Sequence, residues 1–491
     1  MLRVSGLFVV VALGCLLIAD VHITTLDPWS ELQRMALGFA TPDFSAVGDI
    51  GWVLVRTVAF AFCGVALGAV GGFVLSQFFH VGPVRWVCAF IRAIHELFWA
   101  LIFLQMFGLT PLTGVLAIAI PYAGICAKVY AETLEEADLR ASKVLAPGPD
   151  MVSAFLYARL PTVWVHIKNY TSYRFECGLR SSAVLGFVGL PTLGFYLETA
   201  FSEGHYSEAA ALMIMFYILI ASLRYWMRVR LIGLYALIAP FLLGGGVEIQ
   251  MTNIVRFFTV DIVPSPLRGH DVFAAGVLPD FAGWLWMMLS DMALPGIVAT
   301  LILTQIALVG TGMLALMMFP LISDKFLGRF GRSIGHGVLV VIRSTPEFIL
   351  AYIFLQLWGP SMLPAIVALS LHNGAIIGHL IGRFSNQLVL RPDHATGINL
   401  YAFEILPRIY GQFLAYLFYR WEVIMRETAI LGILGIATLG FFIDSALSEI
   451  RLDRAMFLIV VTAILNIGID ILSRRIRGRL HLSDTAQQLK K

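Results

Sequence analysis

Apolar residues run along this chain in long blocks separated by short polar punctuation. Val4 to Leu17, Val53 to Leu75, Ala211 to Leu223 and Met456 to Leu472 are apolar and poor in charge, at or near the roughly 20 residues a helix needs to cross hydrocarbon. Helix is the expected element, because every backbone polar group in lipid must be satisfied within its own segment. Marking such blocks gives twelve candidate spans, at residues 4–22, 51–78, 86–107, 112–130, 163–195, 207–223, 231–249, 293–319, 336–358, 361–381, 409–440 and 455–473. The predicted fold is therefore all-α, a polytopic membrane protein with about 12 transmembrane helices.

The polar punctuation orients these spans. An even number places both termini on one side. The short Arg-rich loops Arg224 to Arg230 and Lys325 to Arg332 and the tail Arg474 to Arg479 all fall on one face by parity, and the positive-inside rule makes that face the cytoplasm. Residues 23–50 and 250–290 then become external, and residues 131–161 and 382–407 cytoplasmic. Leu2 to Asp20 carries a single Arg3 before its apolar stretch, in the manner of a signal peptide. The stretch is long for one and no small-residue cleavage site follows, so a retained first span is expected.

Composition agrees. A chain of 491 residues that is 59% hydrophobic and 13% charged, with a mean hydropathy of +0.85, has too much apolar surface for a soluble core of ordinary proportions, and its solvent is the lipid bilayer. The net charge is +3, and basic residues, mostly Arg, sit at the ends of apolar runs. That distribution suits a membrane and points to no nucleic acid. The five cysteines form no CxxC pair and are expected as small buried hydrophobes. No lysine follows a glycine, so there is no phosphate-binding loop, and no HExxH or nucleophile constellation appears. The chain is expected to be no enzyme and to bind no metal or cofactor.

An internal repeat decides the organisation. Ile91-Arg92-Ala93, Glu96 and Phe103 to Gly108 recur as Ile342-Arg343-Ser344, Glu347 and Phe354 to Gly359, 251 positions later. Leu160-Pro161 recurs as Leu406-Pro407. Tyr173-Arg174-Phe175-Glu176 with Arg180, Ala183, Leu185, Gly186 and Gly189 recurs as Tyr419-Arg420-Trp421-Glu422 with Arg426, Ala429, Leu431, Gly432 and Gly435, 246 positions later. Two units of similar size, 1–228 and 229–491, follow. With an even number of spans each, they share one orientation and relate by a pseudo-two-fold along the membrane normal.

Charge within the spans is duplicated too. Arg92 with Glu96, Arg343 with Glu347, Glu176 with Arg180 and Glu422 with Arg426 are spaced i, i+4, which puts both members on one helix face. Arg174 and Arg420 have no acid at that spacing. At such depth an arginine costs on the order of 2.5 to 3.5 kcal/mol, so it faces protein, water or an anion. Two readings stay open: an anion pathway, or capping of carbonyls and reach to Glu176 or Glu422 across the pseudo-dyad. The glycines that follow, Gly186, Gly189, Gly432, Gly435 and Gly440, allow close packing or a break in the helix.

Tyr173 through Gly189, and its copy Tyr419 through Gly435, resemble the signature that follows the cytoplasmic loop in permeases of phosphonate-type ATP-binding-cassette importers. Gly148, twelve positions before Leu160-Pro161, resembles the glycine of the general importer motif. The resemblance implies a type I ABC importer fold with two cytoplasmic ATPase subunits, which bind ATP and Mg, and an external substrate-binding protein, in the bacterial inner membrane. It also implies a fused permease, since the two units are usually separate chains. The cargo would be a small phosphorus oxyanion, phosphonate foremost, with phosphite, hypophosphite and phosphate as alternatives. Carried over residue by residue, the pathway would use Tyr173, Arg174, Glu176, Arg180, Tyr419, Arg420, Glu422 and Arg426. Short coupling helices that dock on the ATPases would lie at about 141–153 and 387–397, using Ser142, Lys143, Gly148, Pro149 and Asp150 in the first copy and Asp393, His394 and Gly397 in the second. Ser142-Lys143 stands where the family has Glu-Ala, and His394 stands where the second copy needs its glycine. A secondary transporter shares the plan of two parallel halves, but it has no use for long inner loops without a docking partner.

Overall fold

The computed structural model describes residues 1–25, 27–45, 48–136, 153, 155–244, 249–269, 273–274 and 276–480. Among the described residues the regular elements are helical and no strand occurs. In chain order they are α1 (Leu2–Ile18), α2 (Pro28–Ala40), α3 (Ile50–Gln77), α4 (Gly82–Ala93), α5 (Glu96–Phe107), α6 (Pro111–Glu135), α7 (Leu160–Val184), α8 (Leu193–Ser202), α9 (Tyr206–Trp226), α10 (Val229–Leu243), α11 (Met251–Arg256), α12 (Val277–Met287), α13 (Leu294–Met318), α14 (Arg329–Ser344), α15 (Glu347–Trp358), α16 (Met362–Ser385), α17 (Leu406–Ile430), α18 (Leu439–Ser448) and α19 (Leu452–Arg479). Among the described residues six helical segments are long and apolar enough to cross a membrane alone, and up to ten if each of four bent pairs is one span. α1 and Arg230–Leu243 are shorter apolar helices. The protein is a multi-pass membrane protein.

The helices pack into two compact units: a first of Met35–Phe257, and a second of Met1–Arg34 with Phe258–Lys491. Packing units and sequence repeats therefore divide the chain differently. α1 precedes the first repeat but packs in the second unit, where Phe8 meets the rings of Phe418 and Trp421 at 5.3 and 5.2 Å. Gln305 Nε2 donates to Phe8 O at 3.0 Å, and Tyr410 OH donates to Ser5 Oγ at 2.7 Å. The segment after α1 is tied down in the same unit by Thr25 Oγ1 donating to Leu357 O at 2.6 Å and Met362 N donating to Asp20 O at 2.9 Å. α10 packs in the first unit, because the short Met227-Arg228 link folds it back so that Tyr235 meets Phe62 at 5.4 Å and donates to Trp226 O at 3.1 Å.

Each unit is centred on a parallel helix pair made close by small residues. In the first, Gly64, Gly68 and Gly72 of α3 face Ile118, Tyr122 and Cys126 of α6 in step, and a Cβ on Gly68 would lie 2.8 Å from Tyr122 Cβ and 2.9 Å from Ala119 O. In the second the glycines belong to the other partner: Gly374, Gly378 and Gly382 of α16 face Leu314, Met318 and Ile322. Small residues four apart let backbones approach where lipid supplies no hydrophobic drive. Both contacts advance in the same direction along both helices, so the intervening chain must return from one end of the pair to the other.

That return is α4–α5 and α14–α15, and it is sharply broken. The two helices of each pair meet at 94° and 91°, where residues 86–107 and 336–358 are expected to be straight spans. Pro346 holds Thr345 extended (φ −68°, ψ 121°), since the ring clashes with a helical predecessor. In the first copy Ile94 is extended instead, and His95 Nδ1 caps α5 by accepting from Leu97 N at 3.2 Å. The expected spans 163–195 and 409–440 are broken too, with α7–α8 bent by 51° and α17–α18 by 44°. Gly189 (φ 92°) and Gly435 (φ 82°) close the turn at each break, a conformation that favours glycine.

The polar stretch 250–290, expected to be an external loop, already contains α12. Helix runs unbroken from Val277 through Ile322, 46 residues. The run Val277 to Trp286 is apolar with one acid, and Pro279 sits in the first turn, where its missing N–H costs nothing.

Candidate functional site

Tyr173, Arg174, Glu176 and Arg180 lie on α7, and their copies Tyr419, Arg420, Glu422 and Arg426 on α17. α7 crosses α3 closely because Gly178 has no side chain to collide with Val65. It buries Val163, Ile167, Phe175 and Leu179. The opposite face carries His166, Asn169, Tyr173 and Glu176, all exposed and at helical spacing. Such a polar face needs water or protein and not hydrocarbon. Tyr173 and Tyr419 are each 52% exposed, so the two copies present the same residue outward from their units.

Arg174 is held by aromatic rings of its own helix. Its Nε donates to Tyr170 OH at 2.7 Å and its Nη2 donates to the same oxygen. The guanidinium lies 4.9 Å from the Tyr170 ring and 5.6 Å from the Tyr173 ring. Tyr170 is itself braced by the edge of Tyr130 at 6.1 Å, and Tyr130 OH pairs with Thr171 Oγ1 at 2.6 Å. A cation is thereby kept charged inside an apolar bundle. Tyr170 takes two of the five N–H donors a guanidinium carries, and the others are suited to an oxyanion. In the second copy Tyr416 stands where Tyr170 does, and the Arg477 guanidinium of α19 lies 5.9 Å from the Tyr419 ring.

The i, i+4 spacing keeps its meaning only where the helix is continuous. Glu176 with Arg180 and Glu422 with Arg426 lie on unbroken helices. Arg92 and Glu96, like Arg343 and Glu347, stand on opposite sides of the sharp bends, so the expectation that each pair shares a helix face is corrected there. Both acids instead begin the helix after the bend, where the positive end of the helix dipole favours a carboxylate.

Around those acids the structure assembles two polar networks that the motif reading missed. In the first unit Ser181 Oγ donates to Glu96 Oε1 at 2.7 Å, Tyr122 OH and Ser181 Oγ are 3.1 Å apart, and His95 Nε2 is 3.5 Å from Glu96 Oε2. In the second, His372 Nε2 is 3.6 Å from Glu347 Oε2, His372 Nδ1 is 2.9 Å from Thr345 O, and Asn373 Nδ2 donates to Glu427 Oε2 at 3.0 Å. Asn373 and Glu427 fall at the repeat positions of Tyr122 and Ser181. The signal was available in the repeat offsets, which align one polar residue with another in otherwise apolar helices.

The glycines after the charged blocks serve mainly close packing. A Cβ on Gly186 or Gly194 would collide with the backbone of Gly194 and Phe195 or of Ala183, and Gly432 and Gly440 repeat the arrangement. α8 and α18 are then fixed by matching bonds, Leu193 N to Thr57 Oγ1 at 2.9 Å and Leu439 N to Thr300 Oγ1 at 3.0 Å.

Of the coupling residues, Ser142, Lys143, Gly148, Pro149 and Asp150 lie outside the described residues. Asp393, His394 and Gly397 are exposed. The expected helix over 387–397 is absent: turns occur at Asn386-Gln387 and Pro392-Asp393, and helix begins only at Gly397 (φ 63°). Pro392 and the polar Asp393-His394 pair favour turns over helix. The segment is anchored by Arg391 N donating to Glu404 Oε1 at 3.0 Å and Arg408 Nη1 donating to Val389 O at 2.9 Å. No group of three or more His, Cys, Asp or Glu side chains that could hold a metal occurs among the described residues.

No family model and no solved structure matches the chain. Among curated proteins it is 26% identical to the phosphate-import permease protein PhnE of Mycolicibacterium smegmatis, over 91% of this chain and 88% of that protein. It is 29% identical to the phosphite transport system permease protein PtxC of Stutzerimonas stutzeri, over 43% of this chain and 82% of the relative. It is also 29% identical to the putative cryptic phosphonate transport system permease protein PhnE2 of Escherichia coli, over 22% of this chain and 90% of the relative. Homology to permeases of this kind, which are transport subunits and not enzymes, thus extends over most of the chain.

Proposed function

We propose that this chain is the fused membrane permease of an ATP-driven importer for a small phosphorus oxyanion. The observation that carries the reading is the similarity to a phosphate-import permease over 91% of the chain. It is supported by the doubled core: a phosphite permease is matched over 82% of its own length by only 43% of this one, the proportion one repeat would supply. In this reading units 1–228 and 229–491 each contribute six spans. The pair relates by a pseudo-two-fold along the membrane normal, and both termini are cytoplasmic.

Two cytoplasmic ATPase subunits, probed through 141–153 and 387–397, supply ATP and Mg chemistry that this chain lacks, and an external binding protein delivers the anion. Closure of the ATPases rocks the halves between outward and inward access. The guanidiniums of Arg174, Arg180, Arg420 and Arg426 then line the anion's route, with Glu176 and Glu422 holding two of them in place and Tyr173 and Tyr419 bordering them. Direct donors for oxyanion oxygens are what such a route needs.

The test is uptake of labelled phosphonate, phosphite and phosphate by cells carrying the chain with its ATPase and binding protein. Arg174→Met and Arg420→Met are expected to abolish uptake with membrane expression unchanged. Wild-type uptake by both variants removes these residues from the route, and failure of any ATPase to copurify with the chain removes the importer reading.

A further inference from the structure

α14 has three distinct faces. Phe330, Ile334, Val338 and Val341 follow one another at helical spacings of four, four and three, and they are exposed at 81%, 54%, 46% and 45%. Gly335 and Leu339 make a second, buried face: a Cβ on Gly335 would collide with Leu321 O, and Leu339 packs with Ile322 and Ala375. Arg329, Arg332 and Ser333 lie on the remaining side, turned away from the apolar strip at about 100° per residue, with Arg329 and Ser333 exposed and Arg332 half-buried.

α4 repeats the plan at an offset of 251 positions. Pro83 and Val87 stand where α14 has Ile334 and Val338, both are exposed, and Trp86 beside them is 65% exposed. Cys88 is buried where α4 crosses α6 at Gly124, whose Cβ would lie 2.9 Å from Cys88 O. Arg85 is exposed on the side away from the apolar strip.

Their position decides what such helices face. α5 and α15 pack on α6 and α16, which are long and apolar enough to cross a membrane. α4 and α14 meet α5 and α15 at 94° and 91°, so they run along the membrane and not through it. Each begins within a few residues of the end of a span, α4 after Gln77 and α14 after Ile322. Near those ends the spans expose Val70, Val74 and Phe78 in one case and Met313 and Met317 in the other, so the apolar strips continue a lipid-facing surface. A helix placed there, apolar on one side and cationic on the other, has its strip among acyl chains and its cations among headgroups. Trp86 suits that level, since tryptophan gathers at the membrane interface. Charge selects the lipid: neither α4 nor α14 contains Asp or Glu.

We infer that α4 and α14 are interfacial helices that bind anionic phospholipid, with acyl chains against the apolar strips and phosphates at Arg85, Arg329 and Arg332. Guanidinium N–H donors match phosphate oxygens. This surface is separate from the arginines of α7 and α17, and it holds whatever anion the chain carries.

Orientation is tested on the full chain in nanodiscs of phosphatidylcholine and phosphatidylglycerol, with a membrane-impermeant maleimide and labels counted by intact mass. Ser333→Cys takes one label more than the unaltered chain, whereas Ile334→Cys and Val338→Cys react at least about tenfold more slowly and take the label only after denaturation. Lipid choice is tested by titrating the detergent-solubilised chain with each lipid under native mass spectrometry. Phosphatidylglycerol binds saturably and more tightly than phosphatidylcholine. Arg85→Gln combined with Arg329→Gln weakens that binding about tenfold or more, because each basic residue near an anionic surface contributes about 1 kcal/mol, or about fivefold. Should the double variant fail to fold, the preference of the unaltered chain for phosphatidylglycerol, falling as salt is raised, carries the test. Labelling of Ile334→Cys and Val338→Cys as fast as Ser333→Cys overturns the inference. So does equal affinity of the unaltered chain for the two lipids, or a change of less than about threefold in the folded double variant.

Discussion

Asn373 donates from Nδ2 to Glu427 Oε2 at 3.0 Å, and the repeat positions in the first unit hold Tyr122 and Ser181 with oxygens 3.1 Å apart. One contact between the same two helices is thus kept while its chemistry changes from two hydroxyls to an amide and a carboxyl. Glu427 is buried, at 6% exposure, so its partner is structural and not decorative: a buried carboxyl whose donor is removed bears the desolvation of that group. Asn373→Leu is expected to lower stability by about 1–3 kcal/mol, read as a fall in the melting temperature of the detergent-purified chain. Glu427→Leu combined with Asn373→Leu should recover part of that loss. A double variant no more stable than Asn373→Leu alone would show that the bond is not what the position supplies.

The acids at the sharp bends show how much of this was legible beforehand. The repeat, the all-helical class and the membrane were readable because they are carried by many residues at once. The bends were not, because Arg92, His95 and Glu96, like Arg343 to Glu347, interrupt the apolar run for too few residues to end a span, and periodicity has no term for a change of axis. Pro346 was the one local signal, and its repeat position holds His95. The structure explains the mismatch: His95 approaches Glu96 from the bend itself, whereas His372 approaches Glu347 from α16, at the position where α6 has Pro121. Histidine and proline have changed places between the copies, and the carboxylate keeps an imidazole. No single-segment reading finds such a partner, because its members lie far apart in the chain. The packing of α1 into the second unit was hidden for the same reason.

Glycine substitution separates two grades of helix contact. A Cβ on Gly72 would lie 2.5 Å from Cys126 Cβ and 2.9 Å from the backbone oxygen of Ala123, whereas one on Gly378 would lie 3.2 Å from Met318 Cβ and 3.3 Å from Ala315 O. Backbone cannot yield as a flexible side chain does, so Gly72→Ala must separate α3 from α6. It is expected to cost about 1–3 kcal/mol by overpacking, with Gly378→Ala at the low end of that range or below it. Melting temperatures of the two variants in the same detergent give the order. The reverse order would mean that the close approach of α3 and α6 is not what Gly72 permits.

The matched bonds from Thr57 to Leu193 N and from Thr300 to Leu439 N, at 2.9 and 3.0 Å, invite a paired experiment. Both threonines are buried, and each also donates to the carbonyl four residues earlier, Val53 O and Gly296 O. Valine keeps the shape and removes the acceptor, leaving a buried N–H at the start of α8 or α18. Each of Thr57→Val and Thr300→Val should cost about 1–3 kcal/mol, and the two costs should agree, since the geometry is duplicated. Amide exchange at Leu193 and Leu439 is the direct readout. Protection unchanged in both variants would assign the start of these helices to packing alone.

The setting of Arg174 gives the sharpest test of a single group. Tyr170 supplies both an oxygen that accepts from Nε at 2.7 Å and a ring 4.9 Å from the guanidinium, and these can be removed one at a time. Tyr170→Phe keeps the ring and removes the acceptor, and hydrogen bonds to charged groups are worth about 1.5–3 kcal/mol. Tyr170→Leu removes the ring as well and should add about 0.5–2 kcal/mol for the lost cation–π contact. Stability is therefore expected to fall in the order Tyr170, Phe, Leu. If Arg174 binds the transported anion, uptake should follow a different order: the Phe variant frees two N–H donors and should keep or raise apparent affinity for the anion, while the Leu variant lets the side chain leave its place and should lose uptake. Uptake that simply tracks the melting temperature through both variants would assign Arg174 to holding the bundle together and not to the anion's route.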